Sequence, residues 1–240
     1  MGAQWKQAGR EAAAQKKGQL VNKLVRELIV AAKMGGGDPH LNPRLAAAVE
    51  KARKSSVTRD TIERAIKKGT GQGADSAAIE SVIYEGFGPN KVPVIVECLT
   101  DNRNRTAPEI RHLFQAGSLG APGSVAWMFD HVGLIEAHHG GTTLDLETVA
   151  IEAGAQTVEP WADSDVPEGR FGARFTCERN DLVGVARGLA AAQWTVVTSE
   201  MAFVPKNLID LPSDKRQQVV DFLNALDDHD DVHRVYAAVK

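Results

Sequence analysis

Hydrophobic positions in the first seventy residues recur at the spacing of helices. The clearest stripe, over residues 19–34, consists of Leu20, Leu24, Val25, Leu28 and Ile29. Two further helices are predicted over residues 43–54 and 58–68. Asn42 before Pro43 is a favourable helix start, and Gly69 is the expected C-cap of the third helix. Because short helices must pack on one another to bury their stripes, a helical bundle is predicted.

Beyond residue 75 the pattern changes to strands that alternate with helices. Three strands are predicted over residues 81–87, 92–99 and 124–129. A helix between the second and the third is entered through the capping box Thr106-Ala107-Pro108-Glu109. The following residues, 131–204, give the order β-α-β-β-α-β, which is the split pattern of ferredoxin-like folds.

The chain closes with a predicted helix over residues 213–226 and a predicted strand over residues 232–239. One helix and one strand cannot form a core of their own, so both are predicted to pack on residues 76–130.

These elements predict a multidomain α and α+β protein with three domains. A basic helical bundle spans residues 1–75 and ends in a flexible glycine-rich linker at 69–75. Residues 76–130 with 205–240 form one α+β domain, and a ferredoxin-like α+β domain, residues 131–204, is inserted in it. Hydrophobic residues make up 43% and charged residues 25% of the 240, as in globular proteins. No apolar run has the length of a membrane helix, so no membrane partner is expected.

Charge is segregated along the chain. Residues 1–75 contain 15 Lys and Arg against 7 Asp and Glu, a net charge of +8, whereas residues 76–240 contain 13 against 24, a net charge of −11. Such an excess favours a polyanion as the partner of the bundle, through phosphate contacts with a steep salt dependence. The alternative is a solvated surface on which cations pair with acidic neighbours. The candidate contacts are Lys16, Lys17, Lys23, Arg26, Lys33, Arg44, Lys51, Arg53, Lys54, Arg59, Arg64, Lys67 and Lys68.

A second donor-rich segment, residues 100–106, joins a predicted strand to a predicted helix. Its Asn102, Arg103, Asn104 and Arg105 carry donors suited to phosphate oxygens or base edges. The helix N-terminus would add backbone N–H groups for an anion. The alternative is a turn in which asparagine caps the backbone and the arginines pair with acidic neighbours. The residues alone leave both interpretations open.

Metal binding and catalysis find little support in the sequence. His229 and His233 bracket Asp230 and Asp231 in a predicted exposed turn, which does not favour a zinc site. Motifs of known hydrolases and zinc proteases are absent, and the acidic stretches fall in predicted loops. We therefore expect no enzyme activity, no catalytic residue, no metal and no cofactor. The two cysteines stand alone in predicted strands and are expected to be buried thiols of a cytoplasmic protein.

Several ordered motifs resemble those of the YebC family. They are Arg26-Glu27-Leu28, Gly35-Gly36-Gly37-Asp38-Pro39, Asn42-Pro43-Arg44-Leu45, Ile62-Glu63-Arg64-Ala65-Ile66-Lys67-Lys68-Gly69, Tyr84-Glu85-Gly86-Phe87-Gly88-Pro89, Glu97-Cys98-Leu99-Thr100-Asp101-Asn102-Arg103-Asn104-Arg105-Thr106, Gly123-Ser124-Val125-Ala126 and Val204-Pro205-Lys206-Asn207. The resemblance implies three domains, with the last inserted in the middle one. It also implies a cytoplasmic, non-enzymatic regulator that binds DNA, in a family that includes a mitochondrial translational activator and members acting on stalled ribosomes.

Two partners therefore remain open, DNA and ribosomal RNA. The resemblance favours a DNA-binding transcriptional regulator. The lack of a strong recognition helix or dimer seam favours structured ribosomal RNA, with the acidic domains toward ribosomal proteins. Under either hypothesis, charge reversal at Arg59, Arg64, Lys67 and Lys68 is predicted to abolish binding.

Overall fold

The computed structural model describes residues 4–72, 79–141, 145–162 and 166–240, with side chains described from residue 17 onward. It is a mixed α+β structure in which N-terminal helices precede two antiparallel sheets. The helices are α1 (Gln4–Gly35), α2 (Pro43–Lys54), α3 (Arg59–Gly69), α4 (Arg103–Leu113), α5 (Leu146–Ala153), α6 (Leu182–Ala191) and α7 (Ser213–Asp227). The strands are β1 (Glu80–Phe87), β2 (Pro93–Thr100), β3 (Ser118–Leu119), β4 (Phe129–His139), β5 (Thr157–Pro160), β6 (Phe171–Cys177), β7 (Thr195–Pro205) and β8 (Val232–Ala237).

The N-terminal helices pack around a common apolar core, which includes the fully buried Leu28, Leu45 and Ala52. The prediction of α2 is confirmed, including its cap, because the Asn42 side chain accepts a hydrogen bond of 3.1 Å from the Leu45 amide. Helix α1 begins fifteen residues before its predicted start. Its extra turns are rich in Ala, Gln and Lys, which favour helix without forming an apolar stripe.

Gly69 has a different role from the predicted one. It is the last residue of α3, and Thr70 is the C-cap. A Cβ atom at Gly69 would lie 2.4 Å from the carbonyl oxygen of Ile29 and 2.8 Å from the Cβ of Ala32. Glycine therefore lets the end of α3 approach the backbone of α1, which no larger residue would allow. The part of the predicted linker at residues 73–75 lies outside the described residues.

The first sheet has the strand order β3-β1-β2-β8, with antiparallel neighbours. Strand β8 pairs with β2, and α7 buries Val219, Phe222 and Leu226 in the core beneath the sheet. The Phe222 ring meets Phe114 edge to face at a centroid distance of 5.3 Å. The C-terminal helix and strand thus pack on the β1–β2 hairpin, as predicted.

Two local predictions for this region are wrong. Helix α4 begins at Arg103, four residues before Ala107, where the capping box places the first helical residue, because the Asn102 side chain already caps the helix by accepting from the Arg105 amide. Thr106 is buried within the helix. The predicted strand at residues 124–129 is a short 3-10 helix over Ala126–Met128, after which β4 begins.

The second sheet has the strand order β5-β6-β4-β7, again with antiparallel neighbours. Its elements follow one another as β4-α5-β5-β6-α6-β7, the predicted order. The core between this sheet and its helices includes the fully buried Ile135, Phe175 and Leu189, with Trp194 against Phe175. Within the described ranges, no helix is both long enough and apolar enough to cross a lipid bilayer.

Candidate nucleic-acid interface

Many cations of the helical bundle lie in the last turns of its helices. Lys33 is at the end of α1, Lys51, Arg53 and Lys54 are at the end of α2, and Lys67 and Lys68 are at the end of α3. All are exposed except the half-buried Lys51 and Lys68, and Lys17 on α1 is also exposed. Cations in these positions interact favourably with the helix dipoles. They also place positive charge at the surface where a phosphate could reach it. The side chain of Lys16 lies outside the described part of α1.

The outer face of α3 adds two arginines that pair within the helix. The Arg59 Nε atom is 2.7 Å from the Glu63 carboxylate, and an Arg64 Nη atom is 2.9 Å from the Asp60 carboxylate. The four side chains are at least half exposed. Exposed pairs at this spacing contribute little to stability, so they hold the arginines weakly. Lys67 follows on the same helix and is exposed as well.

A second group of predicted contacts is bound to the buried carboxylate of Asp231, which is 2% exposed. Thr106 donates its hydroxyl to this carboxylate at 2.6 Å and Thr100 donates at 3.2 Å. Arg105 of α4 lies at 3.0 Å and Arg26 of α1 at 2.9 Å. Burial alone would raise the pKa of Asp231, but the hydrogen bonds from Thr106 and Arg105 and the charge of Arg26 hold that pKa below its ordinary value.

These contacts bear on the two interpretations of residues 100–106. Asn102 caps α4, and Arg105 also reaches Asp101 at 3.3 Å, which are the contacts of the turn interpretation. Arg103 and Asn104 are exposed and remain candidates for a polyanion. The turn predicted to be exposed between His229 and His233 is so only in part, since Asp230 is exposed whereas Asp231 and His233 are buried.

A buried ion-pair cluster lies where the helical bundle meets both sheets. Arg234 of β8 donates from Nε to the Glu200 carboxylate of β7 at 3.1 Å, and its Nη2 atom is 3.9 Å from Glu27 of α1. Glu27 and Glu200 are 8% and 6% exposed. Although burial would lower the pKa of Arg234, the two carboxylates raise it. Arg44, another predicted contact, is half-buried beside this cluster and lines a small cavity with Glu27 and Arg234.

Two groups of side chains in the described ranges have the composition of a metal site, with ligand atoms within 4.8 Å of one another. They are Glu27, Glu200 and His233, and Glu109, His229 and Asp231. In the first group Arg234 already neutralises the carboxylates, and in the second Arg26 and Arg105 bind Asp231. A divalent cation would have to displace these guanidinium groups, so the geometry favours ion pairs over a metal.

His233 gives this cluster a predicted pH dependence. Burial, with the nearby charges of Arg234, Arg44 and Lys51, holds the pKa of His233 well below its ordinary value. The ring is therefore neutral in the folded protein, while in the unfolded chain it takes a proton below about pH 6.5. Acid consequently favours the unfolded state, and at pH 5 we expect His233 to cost the fold about 2 kcal/mol relative to pH 7 or above.

The measurement is urea unfolding of the wild type and of the His233→Leu variant at pH 7 and pH 5. Leucine suits the site because the buried Nε2 atom has no hydrogen-bond partner within the described structure. The loss of stability between the two pH values should be smaller in this variant by about 2 kcal/mol. His112→Leu, at an exposed position, should leave the loss unchanged. Equal losses in wild type and His233→Leu would contradict the prediction.

Glu85 carries no signal in the hydrophobic pattern, yet it organises a distant turn. Its carboxylate is 8% exposed and accepts backbone N–H groups of Gly123, Val125 and Ala126 at 2.7, 3.0 and 2.8 Å. The sequence feature that could have revealed this role is an isolated acidic residue beside a glycine within a predicted strand. This residue belongs to one of the motifs that resemble the YebC family. Glu200 and Arg234 carry the same kind of signal, because each is a charge inside an apolar strand.

Comparison with known proteins finds relatives that are similar over the whole chain. A protein of Bdellovibrio bacteriovorus named "Probable transcriptional regulatory protein" is 48% identical over all of both chains. One of Polaromonas sp. with that name is also 48% identical, over 100% of this chain and 99% of its own. A crystal structure of a conserved hypothetical protein from Aquifex aeolicus is similar at a TM-score of 0.78, with 36% identity over 94% of this chain and 90% of that one.

The family itself is shown by two family models. The model described as "TACO1/YebC protein N-terminal domain" matches residues 2–72, and the model described as "TACO1/YebC second and third domain" matches residues 79–239. The chain belongs to the TACO1/YebC family, which confirms the resemblance found in its motifs.

Proposed function

We propose that this protein is a cytoplasmic, non-enzymatic regulator of gene expression that binds nucleic acid through its helical bundle, and that its polymer is DNA. The observation that carries the proposal is the exposed positive charge at the ends of α1, α2 and α3 in a segment of net charge +8. Phosphate contacts of this kind supply most of the sequence-independent affinity for DNA. The names of the relatives support transcription as the process.

The protein has three domains in this model of its function, and the first of them supplies the bundle that binds nucleic acid. Residues 1–75 are the binding domain, residues 76–130 with 205–240 are an α+β domain, and residues 131–204 are a ferredoxin-like domain inserted in it. The boundary near residue 130 is supported by β4, which begins at Phe129 and, among the described strands, pairs with β6 and β7 of the second sheet. The strand order β5-β6-β4-β7 supports the ferredoxin-like assignment.

A second candidate function is binding to ribosomal RNA during translation. It is favoured by the acidic part of the chain, since residues 76–240 have a net charge of −11 and would be repelled by an extended duplex. On a ribosome the same surface could face basic ribosomal proteins. Both candidates require the same cations on the bundle, so one set of variants tests the shared site.

The shared site is tested by charge reversal of the four cations at Arg59, Arg64, Lys67 and Lys68. We expect a 30-base-pair DNA duplex and a structured RNA hairpin to bind the variant about 100-fold more weakly than wild type at low salt, with a shallower salt dependence. The matched control reverses four exposed cations outside the bundle, Arg111, Lys215, Arg216 and Lys240. Circular dichroism shows whether each variant is folded. If the bundle variant is folded and binds with wild-type affinity, these four cations are not the nucleic-acid site.

The polymer is then decided by sedimentation. Tagged protein is centrifuged with ribosomes from a lysate, before and after nuclease treatment that removes messenger RNA and DNA. Persistent co-sedimentation would replace the proposed DNA function with the ribosomal one. Absence from ribosomes, with a preference among duplex sequences, would support transcriptional regulation.

A further inference from the structure

The segment that joins the end of α7 to β8 is unusually acidic and lies against Lys23 and Arg26 of α1. We call residues 227–231, Asp-Asp-His-Asp-Asp, the acidic segment. The Lys23 Nζ atom is 3.6 Å from the Asp227 carboxylate and also donates to the Asp227 carbonyl oxygen. Arg26 donates to the Asp230 carbonyl oxygen and pairs with Asp231 at 2.9 Å. The acidic segment thus presents carboxylate and carbonyl oxygens to α1 where a phosphate backbone would present its own oxygens.

These contacts cover two of the cations of α1, Lys23 and Arg26. The Lys23 side chain is 18% exposed and the Arg26 side chain is 20% exposed, whereas the Asp227 side chain is 67% exposed. The exposed residues of the acidic segment, Asp227, Asp228 and Asp230, thus lie on the solvent side of Lys23 and Arg26, whose charged groups are largely covered. Lys23 and Arg26 can therefore contact phosphate only if α1 and the acidic segment move apart.

Open clefts flank this contact on both sides. One, of about 270 Å³, is lined by Gln19, Lys23 and Lys51 together with Asp228. The other, of about 780 Å³, is lined by Arg26 and Arg105 together with His112 and His229 of the facing elements. If the acidic segment were withdrawn, Lys23 and Arg26 would add their charge to the cations that the bundle already exposes.

We propose that the acidic segment is a built-in competitor of nucleic acid, which covers Lys23 and Arg26 in the free protein and is displaced from them when a polyanion binds. This inference rests on the proposed function of the bundle and adds a regulation to it. The competitor is attached to the same chain, so its effective concentration is high and only a polymer that makes several phosphate contacts at once can displace it. Weakly bound, short anions are thereby excluded from this part of the surface.

A reversible link across the contact tests the proposal. Gln19 and Asp228 line the same cleft, and neither is a proposed nucleic-acid contact. The native Cys98 and Cys177 are both fully buried, so a bismaleimide with a cleavable disulfide spacer should react selectively with a Gln19→Cys, Asp228→Cys variant. The matched control carries Gln217→Cys and Asp221→Cys, two neighbours on α7 whose side chains are 2.8 Å apart, where a link does not involve α1.

Linked and unlinked proteins are titrated with the 30-base-pair duplex and with the RNA hairpin. We expect the link between α1 and the acidic segment to weaken binding about 10-fold and to lower the salt slope by about 2, one phosphate for each withheld cation. Cleaving the spacer with reductant should restore both values, and the α7 link should change neither. Equal affinity of the linked and unlinked protein would contradict the proposal that the acidic segment competes with nucleic acid, while leaving the proposed function intact. If unlinked protein bound neither probe, the proposed function would fail, and the competitor with it.

Discussion

Replacing Asp231 with alanine is expected to lower the free energy of unfolding by about 3 kcal/mol, because it leaves buried partners without their acceptor. Arg26 and Arg105 would lose their shared carboxylate, and the hydroxyls of Thr100 and Thr106 would lose an oxygen at 3.2 and 2.6 Å. Removing one partner of a buried ion pair generally costs about 3–5 kcal/mol. The lower end applies here because the Arg105 side chain is 46% exposed and keeps part of its hydration.

Urea unfolding at pH 7 measures this loss, and Asp228→Ala is the matched control. Asp228 belongs to the same acidic segment but is exposed, so its removal should change stability by less than about 0.5 kcal/mol. Asp231→Asn should fall between the two, since an amide oxygen still accepts from Thr106 but no longer neutralises the arginines. A loss below about 1 kcal/mol in Asp231→Ala would mean that water replaces the carboxylate.

Much of the secondary structure could be predicted because its signals are local. The cap at Asn42 fixes the start of α2 through a contact three residues away, and strands such as β2 are marked by their own apolar run. Where two residues could each cap the same helix, as Asn102 and Thr106 could for α4, the predicted start was wrong by one turn. The order of elements through the second sheet follows from their spacing and required no knowledge of contacts.

The contacts that organise the candidate site could not be predicted in the same way. Thr106 and Asp231 are 125 positions apart, and Arg234 and Glu200 are 34 apart on strands of different sheets. Nothing in a periodic pattern says which acidic residue will meet which arginine. Composition indicated that the bundle is basic, but only the fold distinguishes the covered Arg26 from the exposed Lys67.

Replacing Glu85 with alanine is expected to lower the free energy of unfolding by about 3 kcal/mol, because three backbone donors lose one acceptor group. The amides of Gly123, Val125 and Ala126 point at this carboxylate, and Val125 is fully buried, so water has limited access to them. An unsatisfied buried donor costs about 1–3 kcal/mol, and neighbouring donors on one turn can relax together. The turn leads directly into β4, so its loss should also loosen the passage from the first sheet to the second.

Two controls separate the role of the carboxylate from a general effect of mutation in β1. Glu80→Ala, at an exposed position of the same strand, should change stability by less than about 0.5 kcal/mol. Glu85→Gln keeps one acceptor oxygen and should retain part of the stability. Limited proteolysis supplies a local readout, since in Glu85→Ala cleavage near residues 120–128 should precede global unfolding. If this turn stayed as resistant as in wild type while global stability fell, Glu85 would act through packing of the strand, and its hydrogen bonds to the turn would not be what holds that segment in place.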